Sequence, residues 1–229
     1  MKYIKEIKVK SVAIPITRVC NRRCPECGTR DTLTWYNKSI TKKEMELEEI
    51  KFVGDTIGKV DKIEITGGEP TLHSKFEELS LNLKSYFQCD DIWLITAGFL
   101  FKRDPSKLKL LLNFNNVYVT HYTDDFVGNH GGSNNTEEVA IISNFLQSNP
   151  TTKFHLVTMD AHIEHLPPYK GNPCHLAYNG CISYYEGKLY GCCSAAGQLD
   201  KGIGLPLTPN WREHTDEMEL PCKNCFIST

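Results

Sequence analysis

The sequence predicts an α/β protein built on a mostly parallel sheet. Between residues 11 and 158, five short apolar segments alternate with four amphipathic segments of helical length. Such alternation is typical of βαβ units, whose consecutive strands run parallel. With 229 residues and 40% hydrophobic content, the chain can bury one core and carry a small appendage. The pattern changes after Pro167-Pro168, which divides a core over 1–166 from a Cys-rich segment over 167–229.

Each element is predicted from its own residues. The five predicted strands cover 11–17, 62–66, 91–96, 117–121 and 153–158. The four predicted helices cover 42–59, 74–87, 105–114 and 136–148. Thr41 with Glu44 three residues later forms a capping box for the first helix. Pro105, after Asp104, suits the first turn of the third helix.

Two motifs follow the first two predicted strands. Cys20, Cys24 and Cys27 come after the first strand, and Thr66-Gly67-Gly68-Glu69-Pro70 ends the second. The carboxyl ends of parallel strands meet at one edge of a sheet, where ligands bind, so we expect both motifs on the same rim. Three closely spaced thiolates can hold three irons of a [4Fe–4S] cluster and leave the fourth open. The two glycines allow close approach of the backbone.

CxxxCxxC followed by GGEP resembles the radical S-adenosylmethionine (SAM) superfamily. The resemblance implies a partial parallel (βα) barrel of six units, and the five units found here predict a truncated one. It also implies that the open iron binds SAM, and that reductive cleavage of SAM gives a 5′-deoxyadenosyl radical that takes hydrogen from a substrate. The implied partners are a substrate and an external electron donor such as flavodoxin or ferredoxin.

The same resemblance implies the SAM contacts. They are Glu26, Gly67, Gly68, Glu69, Pro70, Thr96 and Thr120. Glu26 stands where the family usually has an aromatic residue, so only its backbone is expected to touch the adenine. The Gly67–Pro70 backbone is expected to bind the methionine amino group. Thr96-Ala97-Gly98 is similar to the family's Thr-Asn-Gly, and Thr120 is expected near the ribose.

A second group of cysteines lies in the C-terminal segment. It comprises Cys174, Cys181, Cys192, Cys193, Cys222 and Cys225. A β-hairpin with Glu186-Gly187 at its turn is predicted between Cys181 and Cys192. The arrangement resembles the twitch extension, the short form of the SPASM domain.

The twitch resemblance implies an auxiliary [4Fe–4S] cluster. Its implied ligands are Cys174, Cys192, Cys222 and Cys225. Either Cys181 or Cys193 could replace one of these ligands. A structural zinc site is the alternative, since four cysteines with a CxxC spacing also suit zinc.

An auxiliary cluster beside a radical site predicts net oxidation, with the cluster as an electron relay. This architecture resembles the aminoglycoside-pathway radical SAM dehydrogenases, so we expect an oxidoreductase acting on a small molecule. A peptide-modifying enzyme of the RiPP maturase kind, a radical SAM core with structural zinc and a non-enzymatic metal protein are the alternatives. Candidate bases are His121, His155, Asp160, His162 and His165, and none is assigned.

Composition and charge indicate which classes of partner and which cellular compartment to expect. The formal net charge is -2, which gives no general basic field for nucleic acid. No run is long and apolar enough for a membrane span, and no signal peptide is visible. The ten cysteines fall into metal-like groups, so we expect a reducing cytoplasm. The Gly-rich loop 124–135 is predicted either as a lid over the rim or as a disordered connector.

Overall fold

The structure, a computed structural model, describes residues 9–24, 27, 29, 32–34, 36–130, 133–159, 181–191 and 204–217. Its centre is one open sheet in the order β5-β4-β3-β2-β1-β6-β7-β8. The strands are β1 Ser11–Thr17, β2 Lys62–Gly67, β3 Asp91–Thr96, β4 Asn116–Tyr122, β5 Lys153–Met159, β6 Cys181–Tyr185, β7 Lys188–Tyr190 and β8 Leu205–Pro206. β1 to β5 run parallel to their neighbours and β6 runs parallel to β1, whereas the pairs β6–β7 and β7–β8 are antiparallel. The predicted α/β class with a partial barrel is confirmed.

The helices lie between the strands. They are α1 Leu47–Ile57, α2 Phe76–Tyr86, α3 Phe99–Arg103, α4 Asp124–His130 and α5 Thr136–Gln147, with 3₁₀ helices over Pro70–Leu72, Pro105–Asn113 and Trp211–Glu217. Their apolar faces pack on one face of the sheet. Buried residues of this core include Ile14, Ile50, Leu79, Leu94, Val119 and Ile142. Of the described residues, none forms a helix long and apolar enough to cross a bilayer.

The opposite face of the sheet carries a row of stacked rings. Trp93 stacks on Tyr118 with ring centroids 4.7 Å apart, and Tyr118 stacks on His155 at 4.3 Å. Lys62 places its Nζ 3.8 Å from the centre of the Trp93 ring. Because alternate residues of a strand point to opposite faces, Thr120 and Tyr122 continue this face toward the carboxyl rim.

The first predicted helix is wrong at its start. Residues 43–45 pair with the end of β1 instead: Met45 N donates to Ile16 O at 2.9 Å, and Arg18 N to Lys43 O at 2.7 Å. The Glu44 carboxylate accepts hydrogen bonds from the backbone N–H and hydroxyl of Ser74, so it forms no capping box. Tertiary pairing with β1 therefore delays the helix to Leu47.

Two further elements differ from the prediction. The segment predicted as a helix over 105–114 is a 3₁₀ helix, Pro105–Asn113, preceded by the short α3. Asp104 does cap it, since its carboxylate accepts from Ser106 N at 3.2 Å. The loop over 124–135 contains α4, so its first half is helical.

The predicted hairpin is confirmed and joins the main sheet. β6 pairs in parallel with β1, with Cys181 opposite Ser11, and thereby adds a sixth parallel strand. Glu186 and Gly187 form the turn with φ of 46° and 77°, which matches a two-residue type I′ connection. The proposed boundary at 166/167 lies outside the described residues.

Candidate functional site

The cysteine loop and the Gly-Gly turn meet at the carboxyl edge of β1 and β2. Gly68 N donates to Thr17 O at 2.7 Å, and Glu69 N donates to Val19 O at 2.8 Å. A Cβ added at Gly68 would lie 2.2 Å from Val19 O. A residue with a Cβ would collide with the backbone that leads into Cys20, so glycine is required at this position. The structure brings the two motifs onto one rim.

Cys20, Cys24 and Cys27 are partly buried in this loop. Burial, the largest cause, together with the charges of Glu69, Cys24 and Cys27, raises the pKa of the Cys20 thiol to about 12, although the hydrogen bond from the Arg22 N–H lowers it. Burial also raises the pKa of Cys24. The three thiols therefore lie close enough to act on one another electrostatically.

The donor set suits an iron–sulfur cluster. All three candidate ligands are thiols, the soft ligands that such clusters take. Arg22 N donates to Cys20 Sγ at 3.3 Å, and this kind of contact stabilises a metal-bound thiolate. Among the described residues, no group of three or more His, Cys, Asp or Glu side chains converges on one point to hold a single ion. A cluster does not require such convergence, because its thiolates bind separate irons.

Tyr122, at the end of β4, contacts the cysteine loop. The Cys24 thiol lies 3.4 Å from the Tyr122 hydroxyl oxygen. The Arg22 guanidinium lies 4.8 Å from the centre of the Tyr122 ring, and Phe126 packs on that ring at 5.4 Å. Burial raises the pKa of the Tyr122 hydroxyl above its ordinary value. The hydroxyl therefore stays protonated beside the thiols.

Asn135 fixes the backbone around Tyr122. Its side-chain oxygen accepts from Tyr122 N at 2.7 Å, and its side-chain nitrogen donates to Ala97 O and Thr120 O, each at 2.8 Å. Asn135 is fully buried. It joins the ends of β3 and β4 to the start of α5, so the rim is tied together at the point where Tyr122 reaches the thiols.

Glu69 organises the turn after β2. Its carboxylate is 2% exposed and accepts from Thr71 N at 3.2 Å, from Ala97 N at 2.7 Å and from the hydroxyls of Thr71 and Thr96. Thr96 also accepts from Gly98 N at 2.8 Å. The Glu69 and Thr96 side chains are thus used inside the protein, and the backbone of the turn is what remains for a ligand.

The remaining predicted SAM contacts are Pro70, Thr120 and Glu26. Pro70 begins the 3₁₀ helix after the turn and is buried. Thr120 is half-buried on the face that carries Tyr118 and Tyr122. Glu26 lies outside the described residues.

The two described candidate bases do not point into the rim. His121 Nε2 lies 3.1 Å from the hydroxyl of Thr136, on the side of α5. His155 Nε2 lies 2.8 Å from Asn116 Oδ1, in the stacked row four residues before the end of β5. Asp160, His162 and His165 lie outside the described residues.

The predicted auxiliary ligands Cys174, Cys192, Cys222 and Cys225 lie outside the described residues, as does Cys193. Cys181 is described and begins β6. Its partner Ser11 is at the amino end of β1, so Cys181 is separated from Thr17 by roughly 20 Å along the strand. Cys181 therefore belongs to the opposite edge of the sheet from Cys20.

Comparison with known proteins places this arrangement in a family. The sequence profile of the Radical SAM superfamily matches residues 14–159, which include the cysteine loop, the Gly-Gly turn, the second half of β1 and all of β2 to β5. The chain belongs to the radical SAM superfamily. Members of this superfamily use a [4Fe–4S] cluster and SAM, so these two cofactors are assigned to this protein as well.

Curated relatives of this radical SAM protein match only in part. The GTP 3′,8-cyclase of Helicobacter pylori is 33% identical over 99 residues, 43% of this chain and 30% of that protein. A probable GTP 3′,8-cyclase of Methanococcus aeolicus is 34% identical over 111 residues, 48% of this chain and 36% of that protein. The matched segment is thus about a third of each relative's length.

A solved structure extends the likeness in fold to nearly the whole chain. BtrN in complex with AdoMet and 2-DOIA superposes with a TM-score of 0.57 at 12% identity, covering 95% of this radical SAM protein and 85% of BtrN. At this identity the likeness concerns the fold alone.

Sequence reasoning assigned no role to Tyr122 or Asn135. The alternation Tyr118, Thr120, Tyr122 in β4 was the available signal, because it places the last tyrosine on the open face at the rim. Nothing local in the sequence connects Tyr122 with Cys24, which is 98 residues away.

Proposed function

We propose that this radical SAM protein cleaves SAM reductively at a [4Fe–4S] cluster held by Cys20, Cys24 and Cys27, and takes hydrogen from a small-molecule substrate. The observation that carries the proposal is the contact between the cysteine loop and the Gly-Gly turn at the carboxyl rim of β1 and β2. When bound, the cluster and SAM supply a 5′-deoxyadenosyl radical that abstracts a hydrogen atom from the substrate.

The chain's own residues hold and orient these groups. The three thiolates bind three irons and leave one for SAM. The N–H groups of Gly68 and Glu69 already donate to Thr17 and Val19, so the turn has carbonyl oxygens to offer to the methionine ammonium. Glu69 keeps those carbonyls in place through its four hydrogen bonds. Thr120 on the open face is the proposed neighbour of the ribose.

For the reaction as a whole we propose oxidation of a small molecule. Cys174, Cys192, Cys222 and Cys225 would hold an auxiliary [4Fe–4S] cluster, which would supply an acceptor for the second electron. The likeness in fold to BtrN, whose structure contains AdoMet and 2-DOIA, supports a small-molecule substrate. The hairpin β6–β7 beside β1 supports a C-terminal extension docked on the core.

A nucleotide cyclisation is the second candidate. It is supported by the names of the curated relatives, GTP 3′,8-cyclases, at 33–34% identity over about a hundred residues. The two candidates differ in their assays: a cyclase converts GTP without net oxidation, whereas a dehydrogenase oxidises an alcohol. Peptide modification, the remaining alternative, would be detected as a mass change in a precursor peptide.

Reconstituted protein tests the proposal. After anaerobic loading, iron, sulfide and zinc are measured, and 5′-deoxyadenosine is followed after reduction in the presence of SAM. About eight irons per chain would support two [4Fe–4S] clusters, and about four irons with one zinc would support a structural zinc site. We expect the variant C20A/C24A/C27A to lose 5′-deoxyadenosine formation completely.

The controls separate the two cysteine groups. C222A/C225A is expected to keep SAM cleavage but to lose product formation. C89A is a matched control, because Cys89 donates to Asp61 O and Asp91 O at the amino edge of the sheet, away from the rim. Retained SAM cleavage in C20A/C24A/C27A would refute the cluster assignment.

A further inference from the structure

We infer that Tyr122 is a positioning residue whose hydroxyl donates a hydrogen bond to the Cys24 thiolate and thereby raises the reduction potential of the SAM-binding cluster. The inference rests on the proposed binding of the cluster by Cys20, Cys24 and Cys27. The two atoms concerned, Cys24 Sγ and Tyr122 Oη, lie 3.4 Å apart. Once Cys24 is deprotonated, its sulfur can only accept, so the tyrosine O–H becomes the donor.

The contact is held from several sides. The Arg22 guanidinium lies over one face of the Tyr122 ring, and its Nη1 donates to Ser133 O, which anchors it to the segment before α5. Phe126 of α4 packs on the ring at a tilt of 55°. The Tyr122 N–H is bound by Asn135. The hydroxyl therefore reaches the sulfur on a ring and a backbone that are both fixed.

Burial makes this hydrogen bond effective. Arg22 is 7% exposed, and its Nε has no hydrogen-bond partner within the described structure. Cys24 is itself partly buried, and a single dipole acts more strongly there than in solvent. A hydrogen bond to a cluster thiolate stabilises the more negative, reduced form and raises the potential. A higher potential makes reduction of the cluster by an external donor easier and lowers the driving force for the onward transfer to SAM.

The experiment compares Tyr122→Phe with wild type in a potentiometric titration. The signal followed is the electron paramagnetic resonance of the reduced cluster that changes when SAM is added, which separates it from any auxiliary cluster. Y122F removes only the hydroxyl and keeps the ring that contacts Arg22 and Phe126. We expect a midpoint potential more negative than that of wild type, with iron content unchanged.

Tyr118→Phe is the matched control. Tyr118 lies two residues earlier on the same strand and face, and its ring stacks on Trp93 and His155. Y118F should keep the wild-type potential. An equal shift in both variants, or no shift in fully loaded Y122F, would overturn the inference.

A second substitution keeps the test valid if Y122F fails to load. Incorporation of 3-fluorotyrosine at position 122 keeps ring and hydroxyl and makes the hydroxyl a stronger donor, so the potential should rise above wild type. An unchanged or lowered potential there would contradict the inference. Wild-type protein without a SAM-responsive cluster signal would instead refute the proposed function itself.

Discussion

The turn after β2 and the cysteine loop after β1 face each other across one rim but are held in different ways. The turn is organised by Glu69, whose carboxylate accepts from Thr71, Thr96 and Ala97, all within 28 residues. The loop takes its contacts from distant elements: Arg18 pairs with Glu186 at 2.7 Å, and Cys24 meets Tyr122. The turn is thus held by neighbouring strand ends, whereas the loop is contacted by β4 and by the C-terminal hairpin.

Of the substitutions that test this difference between the turn and the loop, Glu69→Ala should lower the free energy of unfolding most. It leaves four buried donors without an acceptor, the N–H and hydroxyl of Thr71, the hydroxyl of Thr96 and the N–H of Ala97. At about 1 kcal/mol or more for each donor, the free energy of unfolding should fall by about 4 kcal/mol. Anaerobic urea denaturation measures it. Asp55→Asn is the control, because Asp55 pairs with Lys51 on the exposed side of α1 and the pair should contribute under about 1 kcal/mol. Equal losses in both variants would show that the turn is not organised by Glu69.

Gly68→Ala should have the next largest effect, because Gly68 lies where the turn contacts the cysteine loop. Its Cβ would lie 2.2 Å from Val19 O and 3.1 Å from the Cys20 Cβ, so the backbone must move, at about 2 kcal/mol. Because the movement displaces Cys20, iron content after reconstitution should also fall.

Gly58→Ala separates backbone strain from displacement of the loop. Gly58 has φ +67°, and nothing lies within 4 Å of the added Cβ. With ψ -152° this is a conformation that essentially only glycine adopts, so its substitution should cost about 1–3 kcal/mol through backbone strain and leave the iron content unchanged. Full iron loading of G68A would show that the loop does not depend on the turn.

The smallest effect is expected from Glu186→Gln. The variant removes the ion pair with Arg18, but the Glu186 side chain is 53% exposed, so stability should change by less than about 1 kcal/mol. Arg18 keeps its position over the Tyr185 ring, 4.7 Å from its centre. Thermal unfolding and the rate of 5′-deoxyadenosine formation should both stay near wild type. A large fall in that rate would mean that the hairpin positions the cysteine loop through this ion pair.

Much of the fold could be predicted from the sequence because its signals are local. The strands over 11–17 and 91–96 match the structure at both ends, since short apolar, β-branched runs are bounded by polar residues. The Glu186-Gly187 turn was also predictable, because Gly187 readily adopts the positive φ that a two-residue turn requires, and Glu186 adopts it as a non-glycine residue. The joint position of the two motifs followed from the parallel order of β1 and β2.

The tertiary structure decided the contacts between residues that are far apart in the sequence. The start of α1 was set by pairing of residues 43–45 with β1, which overrode a valid capping box. His121 and Tyr122 are neighbours on β4 and point to opposite faces of the sheet. His121 contacts Thr136 on the side of α5, and Tyr122 contacts Cys24 on the open face. By itself the sequence determined which motifs follow the first two strands, the cysteines and the Gly-Gly-Glu-Pro segment, because the order of residues along the chain is local information. Only the fold decided which of them touch, because burial and long-range hydrogen bonds arise when the strands assemble.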